Sequence, residues 1–535
     1  MIVCYEHARV YTGCGNFAEC FAVEDGLFVY VGTSAQAHQM YPDAEFIDLN
    51  GQFVCPGFND SHMHLLGTGC MLARAQLAPH TTSLQSVLDE ISAFAAAHPD
   101  EAWILGRGWN HDYFTDACRY PTREDLDAVC PDKPCLITRA CGHVAAANSR
   151  ALELAGIASR AVDVEGGRVA TDASGRPNGI LEENAISLVS MHIPKPDRNW
   201  IKQRLLDAMA YVNSFGITSV HSDDFSSLDI PYHEVLAAYE ELIAEGRMTV
   251  RVYEQCLLPT EKELEKFLAD GHLTGKGDHQ FRIGPLKILT DGSLGARTAF
   301  LRAPYADNAD TCGIPTYEQS QLESLILSAH RAGMQIAAHA IGDAAADRVL
   351  TAVEKAQAEY LRDNTRHGIV HAQVFTHEQA SRAAALGMHA YIQPIFLDYD
   401  TQIVYERLGS RADDAYPAAS LMQAGMSLSG GSDSPVEPPD VLEGIQCAMT
   451  RLPVTRAQEH PYLPKEALTC AQAIDLFTSC SAYASFDEEI KGKIAEGYLA
   501  DFTVLGSNPF DTHPAQIHVI PVRAVYLGGK QVFKA

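Results

Sequence analysis

Through the middle of the chain, short apolar segments rich in β-branched residues alternate with longer stretches of helical periodicity. Each segment ends in a polar or glycine-containing cluster, and the clearest are residues 217–220, 283–289, 335–338, 368–370, 389–392 and 426–429. This order is typical of parallel βαβ units. About eight such strands over ~430 residues predict an α/β fold, a (β/α)8 TIM barrel with insertions. A doubly wound sheet is disfavoured because no glycine-rich dinucleotide motif follows a first strand.

Both ends of the chain have a different pattern, in which short strands are separated by Gly and Asp turns. The predicted terminal strands are residues 2–10, 18–23, 26–31, 45–48, 501–505, 522–527 and 531–533. We expect residues 1–55 and 485–535 to form one small β-sandwich domain and residues 56–484 to form the barrel. Residues 67–198 are too many for one strand–helix step, so they predict an insertion over the barrel mouth that contributes to substrate selection.

Charge and composition exclude several classes of function. The chain has 40 Lys and Arg against 68 Asp and Glu, which gives a net charge of −28. Phosphate backbones and anionic membranes repel such a chain, so we expect no nucleic-acid or membrane partner. The charge says little about the small-molecule substrate that we expect on other grounds. The 14 cysteines are scattered, which predicts reduced thiols. No membrane span or basic leader is found, so we expect a cytoplasmic protein, and a homo-oligomer stays open.

The first candidate for chemistry is a pair of histidines in the sequence Pro-Gly-Phe-Asn-Asp-Ser-His-Met-His, which a predicted strand at residues 51–55 precedes. On an extended chain, His62 and His64 point to the same side because side chains alternate with a period of two. Two surface or core histidines can share this spacing by chance. At the end of a strand and before an apolar helix, the pair predicts ligands of one divalent metal ion.

Further polar residues follow later apolar strands, at the rim where barrel enzymes place their catalytic groups. His339 and His371 each end such a strand, and Asp433 lies among small residues after another. Alone, each histidine would be a satisfied polar residue, and Asp433 would cap a turn before Pro435. Together with the histidine pair they predict a metal site in which Asp433 also takes a proton.

Lys287 lies inside the apolar strand at residues 283–289, where a buried ammonium group is costly to desolvate. It must therefore be paired, functional or modified. Reaction with CO₂ would make it a carbamate able to bridge two metal ions. The alternative is a salt bridge to Asp291 or another acid.

The order of these residues resembles the binuclear branch of the amidohydrolase superfamily. More narrowly, the chain resembles the amidohydrolase-3 group, typified by the N-substituted formamide deformylases and the YtcJ-like proteins. The motifs that carry the resemblance are GFNDSHMH at residues 57–64, GRGW at 106–109, NSRALELAG at 148–156, NGILE at 178–182, KILTDGSLGART at 287–298, HAIGD at 339–343, GSD at 431–433 and GKIAEGYLAD at 492–501.

The resemblance implies a complete set of metal ligands, which are His62, His64, Lys287, His339, His371 and Asp433. The first two histidines and Asp433 would hold one ion, the later two histidines would hold the second, and a carboxylated lysine would bridge them. Two Zn²⁺ ions are expected. The family usually has Glu immediately before the strand-six histidine, whereas this chain has Val370, which puts the tuning of His371 in doubt.

Four residues outside this set are expected near the substrate. His143 and His221 resemble pocket residues that touch substrate, although a structural role is equally open for both. Arg107 and Trp109, within the insertion, would line the side of the leaving group.

The expected reaction is hydrolysis of a non-peptide C–N bond, in an amide or an N-substituted formamide, by metal-bound hydroxide, with Asp433 moving the proton. One alternative is a mononuclear deaminase of the same superfamily. Such deaminases place Glu three residues after the strand-five histidine, where this chain has Gly342. The other alternative is a non-catalytic binding protein on the same barrel.

Overall fold

The computed structural model describes residues 1–535. Its strands, numbered in chain order, are β1 (Val3–Glu6), β2 (Arg9–Gly13), β3 (Asn16–Ala18), β4 (Cys20–Glu24), β5 (Leu27–Gly32), β6 (Glu45–Asp48), β7 (Phe53–Pro56), β8 (Phe58–Met63), β9 (Ala75–Gln76), β10 (Ile104–Trp109), β11 (Cys135–Arg139), β12 (Val144–Ala147), β13 (Gly167–Thr171), β14 (Pro177–Glu183), β15 (Ile217–Ser222), β16 (Arg251–Leu257), β17 (Phe281–Leu289), β18 (Ile336–Ala340), β19 (Gly368–His371), β20 (His389–Ile392), β21 (Ser427–Gly430), β22 (Phe502–Leu505), β23 (Val522–Leu527) and β24 (Lys530–Lys534).

The α-helices are α1 (Ser34–Met40), α2 (Leu65–Leu72), α3 (Leu84–Ala97), α4 (Arg123–Val129), α5 (Ser149–Leu154), α6 (Ile186–Ser190), α7 (Arg198–Ser214), α8 (Tyr232–Ala244), α9 (Glu261–Ala269), α10 (Gln319–Ala332), α11 (Asp343–Glu359), α12 (His377–Ala385), α13 (Leu397–Asp400), α14 (Val404–Leu408), α15 (Ala418–Gln423), α16 (Val441–Thr450), α17 (Cys470–Leu476) and α18 (Ser479–Ala484). None of them combines the length and the apolar character that a membrane crossing requires.

Eight strands form the predicted barrel. The sheet has the order β21-β20-β19-β18-β17-β16-β15-β8, and all seven neighbouring pairs are parallel. The edge strands meet where the backbone N–H of Asp433 donates to the carbonyl of His62 at 2.8 Å and that of His64 donates to the carbonyl of Ser434 at 2.7 Å. The (β/α)8 fold class is therefore confirmed, and its closure lies beside the predicted histidine pair.

Two strand predictions near the barrel need correction. The strand expected to lead into the histidine pair is β7, which pairs with β2 and β22 at the termini and not with the barrel. The pair begins instead within β8, which Gly57 separates from β7. The strand β16 was not predicted from its pattern, because Glu254 and Gln255 interrupt its apolar run although both are fully buried.

Strands from both ends of the chain form two sheets, with the orders β5-β4-β1-β6 and β24-β23-β22-β7-β2-β3. Aromatic residues of the two sheets pack on one another. The ring of Tyr5 lies 5.0 Å from both the ring of Phe21 on its own sheet and the ring of Phe502 on the other. The residues between the sheets thus belong to one shared apolar core.

The chain divides into two compact units, Met1–Gly67 with Leu205–Ala535, and Thr68–Arg204. The second unit has its own six-stranded sheet, of order β13-β14-β12-β11-β10-β9, and its own buried apolar cores. It contains nearly all of the insertion predicted for residues 67–198. The expectation that this insertion covers the barrel mouth stays a prediction.

Candidate metal centre

Three of the predicted ligands converge at the closure of the barrel. Oδ1 of Asp433 lies 3.3 Å from Nε2 of His62 and 3.2 Å from Nε2 of His64. His62 and Asp433 are 1% and 7% exposed, so water screens this contact poorly. The three groups have donor atoms within 4.8 Å of one another, a spacing that could hold a metal ion.

Hydrogen bonds at Nδ1 fix which ring nitrogen of these histidines faces the centre. Nδ1 of His62 lies 2.7 Å from Oε1 of Gln255, and Nδ1 of His64 lies 2.9 Å from the backbone carbonyl oxygen of Asp223. Both partners are acceptors, so each Nδ1 carries its hydrogen and Nε2 is the nitrogen left for coordination.

The later two histidines form a second pair of facing donors. Nδ1 of His371 donates to Oε1 of Gln393 at 2.7 Å, and Nε2 of His339 faces the carbonyl of Gly292 at 3.2 Å and Oδ1 of Asp291 at 3.3 Å. The remaining nitrogens, Nε2 of His371 and Nδ1 of His339, are 3.0 Å apart. With neutral rings, both carry lone pairs, and a cation between them would remove the repulsion.

The distances fit a divalent metal ion at both places. Two donors on one tetrahedral ion, with bonds of about 2.0–2.1 Å, lie about 3.3 Å apart. The contacts of Asp433 with His62 and His64, at 3.3 and 3.2 Å, match this value, and the contact of His339 with His371, at 3.0 Å, is close to it. Imidazole and carboxylate are donors that suit Zn²⁺.

Lys287 lies beside the first group of donors, on β17. It is 1% exposed, and its Nζ is 3.1 Å from Nε2 of His62. The alternative partner, Asp291, instead accepts backbone N–H groups of Ile341, Gly342 and Phe300 at 2.8–3.1 Å. The salt bridge between Lys287 and Asp291, which the sequence left open as an alternative, is therefore not formed.

Burial and the neighbouring charges shift the pKa values of the residues of this centre. Burial, together with the nearby Lys287, lowers the pKa of His62 to about 4. Burial would also lower the pKa of His64, but Asp433 and Asp223 raise it to about 9. Burial would raise the pKa of Asp433, yet the two histidines hold it well below its ordinary value. Asp433 is thus a carboxylate ready to bind a cation.

The predicted substrate residues of the insertion lie in the second unit. His143 is exposed on the segment before β12, and its Nδ1 is 2.9 Å from Oε2 of Glu183. Arg107 is exposed on β10. Trp109 has no exposed surface, donates its indole N–H to the carbonyl of Ile137 at 3.2 Å and packs in an apolar core. The prediction that Trp109 contacts substrate is corrected, because a fully buried core side chain has no surface to offer.

His221 is inside the barrel, on β15. It is 0% exposed, its ring centroid lies 5.2 Å from that of Tyr253, and neither ring nitrogen has a hydrogen-bond partner. Burial lowers the pKa of His221 well below its ordinary value, so the ring is neutral. The expectation that His221 contacts substrate stays a prediction, and its burial and ring packing favour the structural role that the sequence left open.

Four residues of the centre were not predicted as functional. Gln255 and Gln393 orient candidate ligand histidines, and Asp291 faces His339. Asp223 follows β15, is 0% exposed and lies near His64 and Lys287, while burial raises its pKa. The signal for Asp223 was present, because it ends an apolar strand as His339 does. Gln393 has the same signal, because it follows β20, whereas Gln255 lies within β16 and has none. Both glutamines act through the histidines they contact.

The comparison with protein families decides the assignment. The amidohydrolase-3 model, described as the amidohydrolase family, matches residues 45–533. This chain belongs to the amidohydrolase family. The predicted resemblance and the predicted hydrolase class are thereby confirmed.

Two relatives align with this amidohydrolase over almost the whole length of both chains. It is 36% identical to the putative amidohydrolase YtcJ of Bacillus subtilis (strain 168), over 97% of this chain and 97% of that protein. It is 26% identical to the N-substituted formamide deformylase of Arthrobacter pascens, over 99% of this chain and 97% of that protein. A solved structure of an uncharacterized metal-dependent hydrolase from Pyrococcus furiosus has 28% identity and a TM-score of 0.76, covering 96% of this chain and 100% of that one.

The charge state of His64 predicts how metal binding depends on pH. With a pKa of about 9, the ring is protonated at neutral pH in the metal-free amidohydrolase. Nε2 must lose its proton to bind a metal ion, so metal affinity should rise with pH and level off above about pH 9. Calorimetric titration with Zn²⁺ in buffers of different ionisation enthalpy should show proton release near neutral pH. Binding with no proton release would contradict this charge assignment.

Proposed function

We propose that this amidohydrolase uses divalent metal ions to hydrolyse a non-peptide C–N bond of a small molecule, with N-substituted formamides as the first substrate class to test. The observation that carries the proposal is the convergence of Oδ1 of Asp433 with Nε2 of His62 and of His64. The likeness to an N-substituted formamide deformylase supports the substrate class. When bound, a divalent ion lowers the pKa of a water molecule and polarises a carbonyl group.

Two ions, with zinc as the expected metal, would account for the two groups of facing donors. His62, His64 and Asp433 would hold the first, and His339 and His371 the second. Gln255 and Gln393 keep their histidines oriented by accepting from Nδ1. The chain thus supplies rigid imidazole ligands whose orientation does not depend on the metal.

Lys287 is the candidate bridge between the ions. Burial lowers the pKa of its amine to about 8, so a substantial fraction is neutral near physiological pH. A neutral amine can add to CO₂, forming a carbamate and releasing one proton. The carbamate would place an anionic group beside Nε2 of His62, which is 3.1 Å from Nζ.

Asp433 is the residue we assign to proton transfer. Its Oδ1 makes the contacts with both histidines, which leaves Oδ2 to accept a proton and to deliver it to the leaving nitrogen. Because the carboxylate is buried and its backbone N–H is bonded to the carbonyl of His62, its position is fixed.

Gly342 argues against a deaminase. A Cβ atom at this position would lie 2.0 Å from the carbonyl oxygen of Phe300, so no glutamate side chain fits. The next residue, Asp343, accepts a backbone hydrogen bond from Arg302 at 2.8 Å. The glutamate that such deaminases place three residues after the strand-five histidine therefore has no counterpart at Gly342.

A substrate panel tests the function directly. Zinc-loaded enzyme should hydrolyse N-substituted formamides or other non-peptide amides and should not deaminate aminopurines. Elemental analysis should find about two ions per chain, as the donor count requires. Turnover of esters alone, or deamination alone, would contradict the proposed reaction. Bound metal without any turnover would favour a binding protein instead.

Asp433→Asn separates a ligand from a proton carrier. The amide oxygen can still coordinate weakly, so most of the metal should remain, whereas kcat should fall by about 10²–10⁴ because Asn has no basicity. Steady-state kinetics measures kcat, and elemental analysis measures the metal content. Asp440→Asn is the matched control, since Asp440 caps α16 and Asn caps equally well. A metal-loaded Asp433→Asn with normal kcat would require another base.

Lys287→Ala tests the bridge. Without the carbamate the variant should hold fewer ions per chain, and a short carboxylic acid such as propionate should restore part of the metal and of the activity. Lys491→Met is the control, because Lys491 is also buried but pairs with Asp487 at 3.2 Å. Unchanged metal content in Lys287→Ala would remove the lysine from the centre.

A further inference from the structure

Asp223 is a buried carboxylate whose two oxygens make no hydrogen bond, since the nearby hydroxyl of Ser226 donates to its backbone carbonyl at 3.3 Å instead. It directly follows β15, is 0% exposed, and neither of its carboxylate oxygens has a hydrogen-bond partner. An ionised carboxylate buried in this way is costly unless it is paired or coordinates a metal. The fold therefore leaves both carboxylate oxygens of Asp223 available to bind a cation from solution.

The adjacent residue shows that this is not a general property of the segment. Asp224 is also 0% exposed, but it accepts hydrogen bonds from the hydroxyls of Ser222 and Tyr239 and from the backbone N–H of Leu66. One aspartate is fully satisfied by its neighbours, and the next along the chain is not. Asp224 thus has a structural role that Asp223 lacks.

The backbone of Asp223 fixes it against the first strand of the barrel. Its N–H donates to the carbonyl of Met63 at 2.9 Å, and its own carbonyl accepts from Nδ1 of His64 at 2.9 Å. Because side chains alternate along a strand, Asp223 points to the same side as His221, whose ring packs inside the barrel. The nearby positive groups whose charges act on its carboxylate are His64 and Lys287.

We propose that Asp223 is a further metal ligand of this centre, a carboxylate supplied by the second barrel strand. The inference rests on the proposed metal-dependent function and adds one residue to the six expected ligands. The imidazoles are neutral ligands, so only Asp433 and a carboxylated Lys287 would otherwise offset the charge of two divalent ions. A third carboxylate brings the buried centre closer to neutrality, which lowers the cost of burying it.

Asp223→Asn and Asp224→Asn form a matched pair, because each removes one buried charge and keeps the shape of the side chain. Cobalt(II) is the probe, since its visible absorption reports the ligands bound to it. Asp223→Asn should lower Co²⁺ affinity by about tenfold or more and change the absorption bands. Asp224→Asn should lower the Tm of the metal-free protein but leave the affinity and the bands of Co²⁺ unchanged.

Stability provides a readout that does not depend on activity. Removing an unpartnered buried carboxylate should leave the Tm of the metal-free protein equal or higher in Asp223→Asn, while the increase in Tm on adding Co²⁺ should be smaller than in the wild type. Asp223→Ser is the second variant, for use if the asparagine does not fold. It should weaken Co²⁺ binding in the same way.

The outcomes separate this inference from the function on which it rests. Wild-type affinity and spectrum in Asp223→Asn would overturn the inference and leave the proposed function intact. Reduced affinity with an unchanged spectrum would also overturn it, because the carboxylate would then act on the ion without binding it. If the wild-type protein itself bound no Co²⁺, the proposed function would fail first. An anomalous difference map of the loaded wild type should place an Asp223 oxygen about 2.0–2.2 Å from the metal.

Discussion

The candidate centre depends on how the barrel closes. The first strand and the segment after the last strand are joined by the backbone hydrogen bonds of Asp433 to His62 and of His64 to Ser434. Asp433 has a φ of 60°, which is unfavourable for a residue other than glycine. The side chain of Asp60 secures the same segment by accepting from the backbone N–H and the hydroxyl of Ser432. The contacts that close the barrel therefore also place the carboxylate against the two imidazoles.

Neutral groups orient three of the four candidate ligand histidines. Gln255, the backbone carbonyl of Asp223 and Gln393 each accept from Nδ1. Val370, which replaces the family's usual Glu, lies in an apolar cluster of the barrel, so it takes no part in tuning His371. A carboxylate partner would make an imidazole a stronger ligand. Because amides and carbonyls do this less, the proposed function requires the negative charge of the centre to come from the groups that would bind the ions.

Sequence reasoning found the residues whose chemistry is visible in a strand pattern. The period of two predicted that His62 and His64 share a side, and strand ends predicted His339, His371 and Asp433. Sequence reasoning could not determine how far along the barrel axis a side chain on a strand lies. The alternation predicts the same side for His221 and for Asp223, which directly follows β15. His221 nevertheless packs against Tyr253 inside the barrel, whereas Asp223 lies close enough to His64 and Lys287 for their charges to act on it. The polar interior of β16 hid a strand for a related reason, since the sequence does not show that Gln255 is buried with its amide bonded to His62 and to the carbonyl of Ser61.

The two donor groups are unequal in charge, and this follows from what each aspartate already binds. Asp433 makes its contacts through Oδ1 to His62 and His64, and the two carboxylate oxygens of Asp223 make no hydrogen bond. Asp291, beside His339, is occupied by three backbone N–H groups that fix the loops around it. The negative charge of Asp291 is therefore used to hold these backbone groups rather than to bind a cation. Under the proposed function, the site of His62 and His64 is the more anionic of the two, and the site of His339 and His371 relies on the bridging lysine for its negative charge.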